Sequence, residues 1–231
     1  MMRVFAAVAV LVALVATPAR AALVTVNDFS DIFFWTGSGT NQAALVLQFP
    51  TTVETGTVAP AAIAWGYRWN GSATFADMVF SLAGNITGGP RPVAGSDARL
   101  AVDVSYYSAF TDYFVNEVSY NQIGLPAADW SQAVRQIGPY DIDTGEYPAQ
   151  YQLDSAAGVW TGSQLNVSGA GIAGTPLVDG GWYGFIQADG LASTLAFAQP
   201  VAAVPEPAAL PLAVCGCVVA VGAWRRRQRV S

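Results

Sequence analysis

The sequence predicts an α+β fold, mainly antiparallel β-sheet with one or two short helices, and three observations carry that prediction. Apolar residues recur at period two in short runs, Gly-, Asn- and Pro-rich turns separate the runs, and one amphipathic stretch has a complete helix-start signal. A β-sandwich with helical insertions is the alternative, since strands outnumber helices.

Asp31 to Trp35 and Ala43 to Phe49 read as strands divided by the turn-rich Thr36–Asn41 stretch, which predicts an N-terminal hairpin. Ala61 to Trp69 is the clearest strand, with Ile63, Trp65, Tyr67 and Trp69 on one face and Ala62, Ala64, Gly66 and Arg68 on the other. Thr74 followed by Asp77 predicts a capped helix over 75–83, with Phe75, Met78, Val79 and Leu82 on one stripe and Gly84 as its stop. Leu100 to Tyr107 and Tyr113 to Tyr120 predict a second hairpin. Trp130, Ala133, Val134 and Ile137 are spaced for a second helix over 126–137, ended by Gly138-Pro139. Short strands are expected at 159–161, 164–167, 181–187 and 194–198.

The two ends have a different character. Residues 1–21 combine Arg3, an apolar run from Val4 to Ala16 and a small-x-small site ending at Ala21, the pattern of a secretory signal peptide. The run is too short to span a bilayer as a helix. Residues 22–198 are expected to form a single extracellular domain and 199–204 a small-residue linker. Residues 205–231 then read as a C-terminal sorting signal: Pro205-Glu206-Pro207, an apolar helix over about 208–224, and the cluster Arg225-Arg226-Arg227. That helix spans ~25 Å at ~1.5 Å per residue, short of a ~30 Å hydrocarbon core, so it is a marginal anchor. The arginines belong on the cytoplasmic side, which places the body outside.

This tripartite tail resembles the PEP-CTERM sorting signal of Gram-negative bacteria. The resemblance covers only the tail and implies recognition and cleavage by a membrane exosortase, with delivery to the cell surface or extracellular matrix. In that family the setting is exopolysaccharide production, so a biofilm or envelope role is implied.

Composition narrows what the body can do. All sixteen acidic residues except Glu206 lie in it, against four arginines, Arg68, Arg91, Arg99 and Arg135. Nucleic acid is therefore not an expected partner. Histidine and lysine are absent from the body, and Cys215 and Cys217 both lie in the tail. Triad hydrolysis, Schiff-base chemistry and His- or Cys-ligated zinc are thus excluded, and a non-catalytic protein is expected.

Two clusters are candidate sites. Trp65, Tyr67 and Trp69 form an aromatic row that is either a core face or a platform for stacking sugar rings. Asp141, Asp143 and Glu146 resemble the front of a calcium loop, although Gly145 and Glu146 stand where a ligand and a glycine are expected; a solvated acidic turn is the other reading. No cofactor is expected apart from that calcium. The expected function is an exported, non-catalytic surface or matrix protein associated with exopolysaccharide. The alternative is a secreted carbohydrate-active or calcium-dependent binding domain, and an exposed aromatic row would favour it.

Overall fold

The computed structural model describes residues 24–49, 62–120, 135–139, 146–156, 159–165, 171–189 and 194–203. The expected signal peptide, the expected sorting signal with Pro205, Glu206, Pro207 and Arg225–Arg227, the candidate ligands Asp141 and Asp143, and residues 126–134 of the expected second helix lie outside them. Among the described residues no helix is long and apolar enough to cross a membrane.

The fold is α+β and mostly strand. In chain order the elements are β1 (Trp35–Gly37), β2 (Asn41–Gln48), β3 (Ala62–Trp69), α1 (Phe75–Leu82), β4 (Ala83–Thr87), β5 (Asp97–Tyr107) and β6 (Asp112–Tyr120). There follow β7 (Arg135–Ile137), β8 (Glu146–Ala156), β9 (Val159–Gln164), β10 (Gly181–Asp189), β11 (Thr194–Phe197) and β12 (Val201–Ala202). One sheet runs β1-β3-β2-β10-β8-β9-β11 with β12 also beside β3, and the other runs β4-β5-β6-β7. Six pairings are antiparallel and four parallel, so both sheets are mixed.

The expected N-terminal hairpin does not form. β1 lies parallel to β3 and β2 lies antiparallel to the same strand, so the two flank β3 on opposite edges. The connecting turn crosses the end of β3, where Gly37 has a φ of 70° and a Cβ would stand 2.2 Å from the Arg68 carbonyl oxygen. Only glycine suits both constraints.

The helix forms where its cap predicts. The Thr74 hydroxyl accepts from the Asp77 backbone N–H at 3.3 Å, and the Asp77 carboxylate accepts from the Thr74 N–H at 2.7 Å. Gly84 is not its stop, because the chain turns extended at Ala83 and continues directly into β4. Gly84 instead permits close approach of β4 to β5, where a Cβ would fall 2.5 Å from the Ala98 Cα. The part of the expected second helix that is described, Arg135–Ile137, is strand β7. It pairs with the edge of β6 and buries Ile137 between the sheets.

The main core lies between the two sheets. Leu45, Leu47, Ile63, Trp65 and Phe185 of the first sheet meet Leu100, Val102, Val104, Val118 and Tyr120 of the second, with Phe75, Met78, Val79 and Leu82 of α1 closing the space. A sandwich-like layering thus exists inside the α+β fold. A second core covers the other face of the first sheet, from Ala44, Val46 and Ala64 to Tyr151, Trp160, Trp182 and Phe197, with Val26 and Ile32 laid over it. That sheet is rolled. A Cβ on Gly184 of β10 would meet the Phe197 ring of β11 at 3.0 Å, although β8 and β9 intervene, a distance of ~14 Å in a flat sheet.

Residues 199–203 are not a linker. Val201 and Ala202 pair with Ile63 and Ala64, the Ala203 N–H donates to the Ala64 carbonyl at 2.9 Å, and Ala202 and Ala203 are buried. Val24 to Val26 pair with Pro200 to Ala202 on the far side, so the first and last described residues lie side by side. Small side chains fit this three-strand seam, and the same smallness looks like a linker in sequence.

Candidate functional site

The Trp65–Trp69 row belongs to the core. Trp65 has no exposed surface; its Nε1–H donates to Asp97 Oδ2 at 3.0 Å, and its ring meets Tyr120 edge-on at 5.0 Å. Trp69 is buried as well, and half-buried Tyr67 stacks on it at 5.7 Å. β3 has paired strands on both edges and the second sheet and α1 over this face, so a sugar has no access to Trp65 or Trp69. Of the two readings of the row, the core face holds for those two side chains and the sugar platform does not.

Glu146 opens β8, its backbone paired with Asp189. Among the described residues there is no group of three or more carboxylate, histidine or cysteine side chains that could hold a metal ion. A shallow depression of about 350 Å³ along β8 and β9, lined by Gln152, Leu153, Asp154 and Ser163, carries one carboxylate.

Among the described residues, a cluster of open aromatic side chains lies on the β5–β6 hairpin. Alternation along β5 sends Leu100, Val102 and Val104 into the core, and Val115, Val118 and Tyr120 do the same on β6. The strands extend beyond that core to a turn at 108–111, where Thr111 adopts a φ of 53°. Buried Asp112 fixes this tip: its carboxylate accepts the N–H groups of Tyr113 and Ala173 at 2.7 Å, Gly174 at 2.9 Å and Gly171 at 3.0 Å. The clamped 171–175 segment in turn accepts the first N–H groups of α1: the Phe75 N–H donates to the Thr175 carbonyl and the Ala76 N–H to the Ile172 carbonyl. The hairpin tip is thereby tied to the helix start.

Six rings cluster at the tip. On the inner side Phe80 meets Tyr113 at 5.1 Å and Tyr113 meets Tyr106 at 5.0 Å. On the outer side Phe114 is met by Tyr107 at 5.1 Å and by Phe110 at 5.9 Å. Tyr106 and Tyr107 are half exposed and Phe110 is 65% exposed.

Behind the outer rings runs a polar strip. A bulge in β6 inserts Asn116 between the pairs Val104↔Val115 and Asp103↔Glu117, which puts Asn116 and Glu117 consecutively on the outer face. Asn116 Nδ2 donates to Asp103 Oδ2 at 3.0 Å and to Ser105 Oγ at 2.9 Å. Partial burial pushes the Glu117 carboxyl above its ordinary value; the nearby Asp103 charge adds to this, and hydrogen bonds from Gln136 and Ser119 oppose it. The face therefore offers flat rings at one end and hydroxyl-binding oxygens at the other.

Sequence reasoning passed over this patch, though a signal for it exists. Successive residues of a strand point to opposite faces, so Tyr106-Tyr107 and Tyr113-Phe114 must each turn one ring outward. No known protein family, curated protein or solved structure matches the chain.

Proposed function

We propose that this is an exported, non-catalytic cell-surface or extracellular-matrix protein, sorted through its C-terminal signal, whose body contacts exopolysaccharide through the outer face of the β5–β6 hairpin. The observation that carries the reading is the ring cluster in which exposed Tyr107 and Phe110 lean on half-buried Phe114, beside a strip of hydrogen-bonding oxygens. Sugar rings present apolar C–H faces and equatorial hydroxyls, and this surface is chemically matched to both. The chain has no histidine or lysine, which leaves catalysis without its commonest groups.

The place where the first and last described residues come together supports the same reading. Val24 and Ala203 meet beside Ile63 and Ala64, at the start of β3. The aromatic tip is clamped through 171–175 to the first turn of α1, beyond the end of β3. Before processing, a tether attached after Ala203 would thus join the body at the other end of β3 from the tip.

Retention on isolated exopolysaccharide of the protein recovered from the cell surface tests the contact: about tenfold weaker retention of Phe110→Ala and Tyr107→Ala is expected, and equal retention of both variants would sink it. The intact mass of that released protein tests the sorting. Arg225, Arg226 and Arg227 are expected to be missing, and their presence would refute cleavage.

A further inference from the structure

We infer that the outer face of the β5–β6 hairpin selects uncharged polysaccharide over polymers that carry carboxylates, an inference that rests on the polysaccharide reading above and names its ligand class. Tyr107, Phe110 and Phe114 form the stacking end of the face. Four residues along β5, ~13 Å from Tyr107 at ~3.3 Å per residue, Asp103 stands directly opposite Glu117. A chain seated on the rings and running along the strip meets two carboxylates on neighbouring strands.

Those carboxylates accept from sugar hydroxyls and repel a uronate at the same place. Asn116 cannot supply the missing positive charge, since it is neutral and already donates to Asp103 and Ser105. The arginine of this hairpin, Arg99, is engaged elsewhere: its guanidinium pairs with buried Asp97 at 3.0 Å and lies over the Tyr120 ring at 5.3 Å. The strong acidic excess of the body adds a repulsive field of the same sign.

The test uses the full chain purified in mild detergent, with cellohexaose and dextran as uncharged probes and alginate as the uronate probe. Binding of at least one uncharged probe at least tenfold tighter than alginate is expected at about 20 mM salt, with the gap narrowing toward about 1 M as screening shortens the repulsion. The double variant Asp103→Asn/Glu117→Gln is expected to close the gap by gaining alginate affinity. Equal affinity of the parent for alginate, or a gap unchanged in the double variant, overturns the selectivity. If Tyr107→Ala and Phe110→Ala weaken binding while the gap is absent, selectivity alone fails; if those variants change nothing, or no probe binds, the polysaccharide reading falls with it.

Discussion

β3 and the β5–β6 hairpin both carry a dense set of aromatic side chains, and they use them in opposite ways. On β3 the strand is central, paired along both edges and covered by α1 and the second sheet, so Trp65 and Trp69 are buried. On the hairpin Tyr107, Phe110 and Phe114 stand beyond the last core residues, Val104 and Val115, while Tyr113 still packs against the edge of that core. Period-two spacing is the same local rule in both. What differs is whether the strand ends inside or outside the contact between the sheets, and that is a property of the assembled fold.

The largest effect should come from breaking the buried set. Trp65 fills the space between the sheets and supplies a donor to buried Asp97, so Trp65→Ala should cost about 4 kcal/mol, part of it from a carboxylate losing a partner. Trp65→Phe keeps most of the volume and should cost about 2 kcal/mol. Urea unfolding followed by intrinsic fluorescence measures both, and a loss near zero for Trp65→Phe, which keeps the volume but not the donor, would mean that the Asp97 contact is energetically idle.

Next is the clamp that lets the exposed set exist at all. Asp112→Asn replaces an acceptor-only carboxylate by an amide that cannot satisfy four N–H groups at once, a loss of roughly 3 kcal/mol. Amide exchange at Gly171, Ala173 and Gly174 should accelerate along with it. Unchanged exchange there would show that the 171–175 segment is held by other contacts.

Local patterns were readable in the sequence and long-range pairings were not. The Thr74–Asp77 cap and the alternation of Leu100, Val102 and Val104 each concern residues within a few positions of one another, and both stand in the structure. The parallel partners of β2 and β3 lie far along the chain or across an edge, where no spacing rule reaches. β8 went unread although Tyr147, Ala149, Tyr151 and Leu153 alternate toward the second core, because Pro148 argues against a strand and the preceding acidic residues suggest a loop. The ring patch is hard to read for a related reason: the regular spacing of the Trp65–Trp69 row is what a core strand has, and no local spacing tells that the β5–β6 tip outruns the contact between the sheets.

Breaking the exposed set should spare stability. Phe110→Ala removes a ring that is mostly in solvent, so its unfolding midpoint should shift by no more than about 0.5 kcal/mol in free energy. Its loss of polysaccharide retention, about tenfold, corresponds to about 1.4 kcal/mol of binding. The reverse result, lost stability with retained binding, would place Phe110 among the structural rings and erase the distinction from β3.

The smallest effect is expected at Glu117, and its sign follows from which state holds the proton. Burial and Asp103 raise the native carboxyl above the unfolded value of about 4.3, so between the two the native protein binds more protons than the unfolded chain. This group's stabilisation is therefore complete below the unfolded value and is lost as pH rises through the native one. Glu117→Gln removes that titration, so the variant's urea midpoint should rise relative to the parent's from pH 4 to pH 7, the two curves diverging in the variant's favour toward neutral pH. A constant offset across the range would mean that Glu117 is as well solvated folded as unfolded, and the outer face would then carry its two charges without the strain that partial burial imposes.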